Sequence, residues 1–77
     1  MSMMKAVERK YKLPTRLKQL RLEKGLTQQQ VADELALNSV TYLRYEKGQR
    51  EPSIELLMAF AVYFDVTIDY LVGLTDF

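Results

Sequence analysis

From residue 13 onward, apolar positions recur at intervals of three or four and show no sustained one-for-one alternation, which predicts helices rather than strands. Pro14 suits a first helical turn, Leu17 and Leu20 follow at helical spacing, and Gly25 offers a left-handed C-terminal cap, so a helix is expected over 14–24. Thr27 followed by Gln30 fits the capping box, in which the Thr oxygen accepts the amide of the third helical residue and the Gln side chain reaches back. The helix it opens runs through QQQVADELA, with Val31, Ala32 and Leu35 turned inward. Asn38 is an effective N-cap, so the next helix starts at Ser39, about three residues after its predecessor, and stops before Gly48. Ser53 caps a helix over 54–64, and Thr67 caps a short last one in which Asp69 lies against the positive end of the dipole. Residues 1–12 are basic, without clear apolar periodicity, and read either as an arm or as a helical extension of a domain at 13–77.

The two later long helices have informative faces. On the 39–47 helix, Tyr42, Tyr45 and Glu46 fall together and are expected to face the core. Ser39, Val40, Leu43, Arg44 and Lys47 take the other side: a small polar residue at the start, an Arg one turn on and a Lys at the end. Such a face fits a major groove, where Arg pairs with guanine and an apolar side chain meets a thymine methyl. Two helices joined by a tight turn, the second presenting its first residues outward, describe a helix-turn-helix. The 54–64 helix is apolar nearly all round. Its stripe Ile54, Leu57, Ala61 and Phe64, with Phe60 beside it, suffices for a core, leaving Leu56, Met58, Ala59, Val62 and Tyr63 in excess. Excess apolar surface on a small protein marks an interface, so this helix and the last one, with Ile68, Tyr70, Leu71 and Leu74, are expected to form a two-fold homodimer contact.

Composition narrows the classes. Seventy-seven residues allow one domain, and 48% hydrophobic with 27% charged residues describes a folded chain rather than a disordered one. Without Cys or His, disulfides and the usual metal ligands are missing, together with the commonest general base and nucleophile. No arrangement of the remaining carboxylates, Lys and Tyr points to catalysis, so neither an enzyme nor a cofactor, metal or small-molecule ligand is expected. No apolar run approaches the roughly 20 residues that span a bilayer and the start lacks a signal sequence, so a cytoplasmic chain with no membrane partner is expected. The net charge of +1 conceals a split: residues 1–25 hold eight basic residues against Glu8 and Glu23, and residues 26–77 hold three against eight acidic. One side is thereby suited to a polyanion, although charge runs are more often solvated faces.

The segment LTQQQVADELALNSVTYLRYEKGQREPSIELLMAFAVYFDVTIDYLVG, residues 26–73, resembles the Cro/C1-type (XRE family) helix-turn-helix domain of phage repressors. The TQ opening the second helix, YEKG closing the third and PS opening the fourth are specific in combination. The resemblance implies an all-α, five-helix lambda-repressor-like DNA-binding domain. It gives Ser39, Val40, Thr41, Leu43 and Arg44 groove-facing roles, Gln28, Lys47, Gln49 and Arg50 phosphate contacts, and Arg21 with Glu46 a structural ion pair. Four positions depart from the family pattern. Ala36 stands where Gly is usual in a left-handed turn, at a cost of roughly 1 kcal/mol. Tyr42 stands where a smaller aliphatic is expected, either as core filler, the preferred reading, or with its hydroxyl reaching a phosphate. Val40 and Leu43 leave the reading face with little hydrogen-bonding capacity.

The expected function is therefore sequence-specific double-stranded DNA binding as a bacterial or phage transcriptional regulator. Repression and a dimer on a pseudo-palindromic operator follow from the resemblance. The rival is a protein-interaction module of the same fold, antitoxin-like or anti-repressor-binding, with weak non-specific DNA affinity. With no room for a sensory domain after Phe77, the chain is expected to be a minimal regulator or the DNA-binding part of a longer one.

Overall fold

The computed structural model describes residues 3–77, and its elements are six helices: α1 (Met3–Lys10), α2 (Leu13–Glu23), α3 (Gln28–Glu34), α4 (Ser39–Glu46), α5 (Ile54–Phe64) and α6 (Ile68–Val72). Helices α2 to α6 are the five that capping and periodicity predict. Residues 3–10, open between arm and extension on sequence, form α1, no residue of which is buried.

The helix boundaries follow from their caps. The Thr27 hydroxyl accepts the Gln30 amide while the Gln30 side chain accepts the Thr27 amide, closing the capping box of α3. Asn38, Ser53 and Thr67 each cap the amide three residues on, opening α4, α5 and α6. At the other ends, Leu26 N–H donates to the Arg21 carbonyl and Gln49 N–H to the Arg44 carbonyl, with Gly25 and Gly48 left-handed between. These are the six-to-one bonds that terminate helices behind a left-handed residue. Ala36 plays the same part after α3 at φ 56°, where Leu37 N–H reaches the Ala32 carbonyl. Asp65 does so after α5 at φ 55°, a conformation that short polar residues tolerate.

The core joins Leu13, Leu17 and Leu20 of α2, Val31 and Ala32 of α3, Tyr42 and Tyr45 of α4, Phe60, Ala61 and Phe64 of α5, and Leu71 of α6. Phe60 is its centre, with the rings of Tyr42 and Tyr45 edge-on at 6.2 and 5.8 Å. Tyr42 is therefore core filler, and its hydroxyl is buried beside Arg21 and Glu46 without a well-formed hydrogen bond. Three expectations are corrected. Ile54 is 71% exposed, because it falls on the outward line of Met58 and Val62, while Leu56 and Leu57 of the same turn pack in part against the core. Leu71, assigned on sequence to a dimer contact, is fully buried, because α6 needs an apolar residue to anchor it and Leu71 lies on the side turned to the core. The third is the end of α3, which stops at Glu34 with Leu35 as its C-cap; Leu35 still turns inward and packs in part against the core.

Helix α6 and the residues after it are held by α2. The buried Arg16 guanidinium donates to the Tyr70 and Thr75 carbonyls and to Asp76 Oδ1 at 3.2 Å, and stacks 4.1 Å from the Tyr70 ring centroid. Lys12 N–H donates to the Val72 carbonyl at 3.0 Å, and Lys12 Nζ lies 3.7 Å from the exposed Asp76 carboxylate.

Candidate nucleic-acid interface

Helix α4 packs against both α2 and α3, which leaves one side of it free. The buried side carries Tyr42, Tyr45 and Glu46, as the 3.6-residue period requires. On the outward side Val40 is 59% exposed, Arg44 and Lys47 are exposed, and Ser39, Thr41 and Leu43 are half-buried along the flanks. Thr41 contributes its backbone amide to the Asn38 cap at 2.7 Å, so the first turn is fixed from within the chain. Beyond α4, the left-handed Gly48 turns the chain so that Gln49 and Arg50 are exposed next to Lys47, and a Cβ on Gly48 would meet the Pro14 ring at 3.3 Å. Glycine at 48 thus lets this loop sit close against the start of α2.

A buried polar cluster holds α4 in place. Arg21 Nε and Nη2 donate to the two oxygens of Glu46 at 2.7 and 3.1 Å, a paired geometry that sets angle as well as distance. Arg21 Nη1 also donates to the Leu26 carbonyl at 3.0 Å, tying the α2–α3 connection to the same guanidinium. Burial alone would push the Glu46 carboxyl up, but the Arg21 guanidinium, with Tyr42 and Gln28 as further polar neighbours, holds it below the usual carboxylate range. Arg21 is pushed up in turn by its hydrogen bond to Glu46. Burial pushes the Tyr42 hydroxyl far up, so it stays neutral.

Gln28, the first residue of α3, is half-buried, and its amide nitrogen donates to Glu46 Oε1 at 3.3 Å. This contact is absent from the sequence reading, which gives Gln28 only an outward role. A Gln amide has two N–H groups, so one stays available to an external acceptor while the other is held by α4. The structure brings Gln28, Glu46 and Arg21 together and sets Lys47, Gln49 and Arg50 in sequence at the far end of α4. Of the residues on α5 and α6 assigned to a dimer contact, Met58, Val62 and Leu74 are exposed, while Leu56, Ala59, Tyr63 and Tyr70 are half-buried. Leu56, Tyr63 and Tyr70 pack in part against the domain's own core. Among the described residues there is no pocket, no cluster of three potential metal ligands and no helix long and apolar enough to cross a membrane.

This geometry has known relatives. The chain is 45% identical over 58 residues to the HTH-type transcriptional regulator AnsR of Bacillus subtilis, covering 75% of this chain and 50% of AnsR. It is 36% identical over 59 residues to the cryptic phage CTXphi transcriptional repressor RstR of Vibrio cholerae, covering 77% and 53%. It is 39% identical over 58 residues to the HTH-type transcriptional activator BcrR of Enterococcus faecalis, covering 75% and 28%. The crystal structure of a transcriptional regulator from Listeria innocua superposes with a TM-score of 0.78 at 36% identity, over 83% of this chain and 60% of that one. The chain spans about half the length of the curated relatives it matches. The model of a helix-turn-helix family (HTH_3) matches residues 17–71, from the middle of α2 to the end of α6, and with the clamped α3–α4 pair and these relatives it establishes that the chain belongs to the Cro/C1-type (XRE) helix-turn-helix family.

Proposed function

We propose that this protein is a sequence-specific double-stranded DNA-binding transcriptional regulator, non-enzymatic, which lays α4 in the major groove of a pseudo-palindromic operator and acts there as a repressor. The observation that carries the reading is the outward face of α4: Val40, Arg44 and Lys47 exposed on a helix locked by the Arg21–Glu46 pair. In this reading Arg44 pairs with a base edge, Val40 and Leu43 take thymine methyls, and Ser39 and Thr41 fill in at the groove wall. Gln28, Lys47, Gln49 and Arg50 hold phosphates on either side, which sets register without reading sequence. Repression is favoured by the likeness to RstR; BcrR, of similar identity, carries the name of an activator, so the sign of regulation depends on where the operator lies. A homodimer would set two α4 helices about one DNA turn apart, its contact drawn from the exposed apolar residues of α5.

A second reading, a protein-docking module of the same fold, is favoured by one feature, the apolar Val40 at the centre of the exposed α4 face. Selection of bound duplexes from a random library, followed by titration of the winner and a scrambled control at two salt concentrations, separates the two. A palindromic winner bound about a thousandfold more tightly than the control establishes operator reading. Equal, salt-sensitive binding of both transfers the role to docking.

A further inference from the structure

Helix α1 gathers Met3, Met4 and Val7 on one face, all exposed, with Lys5 and Arg9 on the other. Eight residues are too few for a helix to hold itself in water, so an apolar stripe on so short a helix needs a partner surface. The root of α1 is nevertheless tied to the body. Tyr11 N–H continues the helix to the Val7 carbonyl at 2.9 Å, and Lys12 N–H is bonded to the Val72 carbonyl. Gly73 approaches so closely that a Cβ there would overlap the Lys10 carbonyl oxygen. The molecule measures 40 × 24 × 20 Å, an elongation that suits a helix held off the body.

A second unpartnered stripe lies on α5. Ile54, Met58 and Val62, each four residues apart, are exposed on one line, with Val62 81% exposed. The eight residue steps from Ile54 to Val62 extend about 12 Å, the length of α1 itself. The net charges are opposite: α1 carries Lys5, Arg9 and Lys10 against Glu8, with Lys10 and Glu8 flanking its stripe and Lys5 and Arg9 behind it, whereas the α5 stripe is bordered by the exposed Glu55 and Asp65.

We propose that α1 of one copy lies across the α5 stripe of a second copy and receives that copy's α1 on its own α5. This rests on the dimeric reading above and specifies what builds the dimer. Pairing α5 with α5 would bring Glu55 and Asp65 of both copies together, whereas α1 approaches α5 with a net positive charge, which steers association. Each copy contributes six exposed apolar side chains; at on the order of 100 Å² apiece, the reciprocal contact buries roughly 1,000 Å², the area at which an interface becomes specific. DNA is a poorer occupant for this stripe, since Lys5 and Arg9 could meet phosphates only from the opposite face and would leave Met3, Met4 and Val7 uncovered.

The chain has no Cys, so introduced thiols report unambiguously. Full-length Met4→Cys and Met58→Cys chains with different tags are mixed at micromolar concentration and oxidised. The expected product is the mixed disulfide, in excess over either self-linked species, and lost when Val62→Asp is added to the Met58→Cys chain. Predominant self-linking of Met58→Cys overturns the proposal, as does closure of a Met4→Cys/Met58→Cys chain within itself, or a sedimentation profile that is monomeric throughout. Val7→Asp alone is expected to weaken dimerisation at least tenfold while leaving affinity for a single half-site duplex unchanged. A fall in half-site affinity with the dimer intact assigns α1 to DNA and overturns the exchange. A mixed disulfide in a protein that selects no operator supports the exchange and sinks the operator reading instead.

Discussion

Ala36 at φ 56° carries a Cβ in a left-handed turn that most residues avoid, and it is exposed, so its methyl contributes no packing in return. Ala36→Gly is expected to stabilise the fold by about 1 kcal/mol, which raises the thermal midpoint by about 4–8 °C in a domain of this size. Glu46 sets the opposite sign. Its carboxyl titrates lower in the folded chain than the ordinary value of 4.5, so its contribution is complete above that pH and is lost as pH falls below it towards the folded value. Glu46→Gln leaves the buried Arg21 guanidinium without its counter-charge and is expected to cost about 3 kcal/mol at neutral pH. Urea midpoints at pH 7 and pH 3.5 check both points, because the variant should have lost the part of the pH dependence that wild type owes to this residue. On the proposed interface, Arg44→Ala should cost about 1–3 kcal/mol and relax preference at one base position, whereas Lys47→Ala or Arg50→Ala should weaken all sequences alike and lower the salt slope by about 1 per half-site. Identical behaviour of all three in titrations against a panel of single-base operator variants would mean that the reading face is misassigned.

At the level of elements, the junction of α1 and α2 meets α6 and the residues after it. Helix α6 has five residues and one fully buried side chain, Leu71, so its place depends on the Arg16 bonds and on the close approach of Gly73 to α1. Two left-handed glycines allow this to be measured. At Gly25 nothing lies within 4 Å of an added Cβ, so Gly25→Ala should cost only the conformational term, about 1 kcal/mol. At Gly73 an added Cβ would collide with backbone, and Gly73→Ala should cost about 2 kcal/mol more than Gly25→Ala in denaturant unfolding. Equal costs would mean that α6 is not pressed against α1. The Arg21–Glu46–Gln28 cluster works at the same scale, since one carboxylate joins α2, α3 and α4 and couples the first residue of α3 to the last of the proposed reading helix.

For the molecule as a whole, charge and symmetry matter more than any one contact. The excess of basic residues in 1–25 and of acidic residues in 26–77 gives a net charge near zero with a strong internal asymmetry, which serves orientation more than raw affinity. If two α4 helices read half-sites one turn apart, inserting about 5 base pairs between the half-sites turns one of them to the opposite side of the duplex. Affinity is then expected to fall to that of a single half-site, as gel-shift titration across a spacer series would reveal. Affinity indifferent to spacing would argue for independent monomers.

Local chemistry made much of this legible from residue order alone. Caps act over three residues and helical faces over four, so Thr27, Asn38, Ser53 and Thr67 and the burial of Tyr42, Tyr45 and Glu46 could be read from local pattern, while the left-handed strain at Ala36 came from the resemblance to the family. The match of YEKG and its companions to a known family supplied the partner of Arg21, which spacing could not. What escaped depends on contacts across the chain. Arg16 is buried because its acceptors lie 54 to 60 residues away, and no local pattern marks an Arg that will be enclosed by a distant carbonyl. Ile54 and Leu71 exchanged expected places because periodicity gives the direction of a side chain but not whether another element reaches it. Met3, Met4 and Val7 are too few to establish a period, and only the folded body, by leaving α1 and the α5 stripe both uncovered, turns them into a surface.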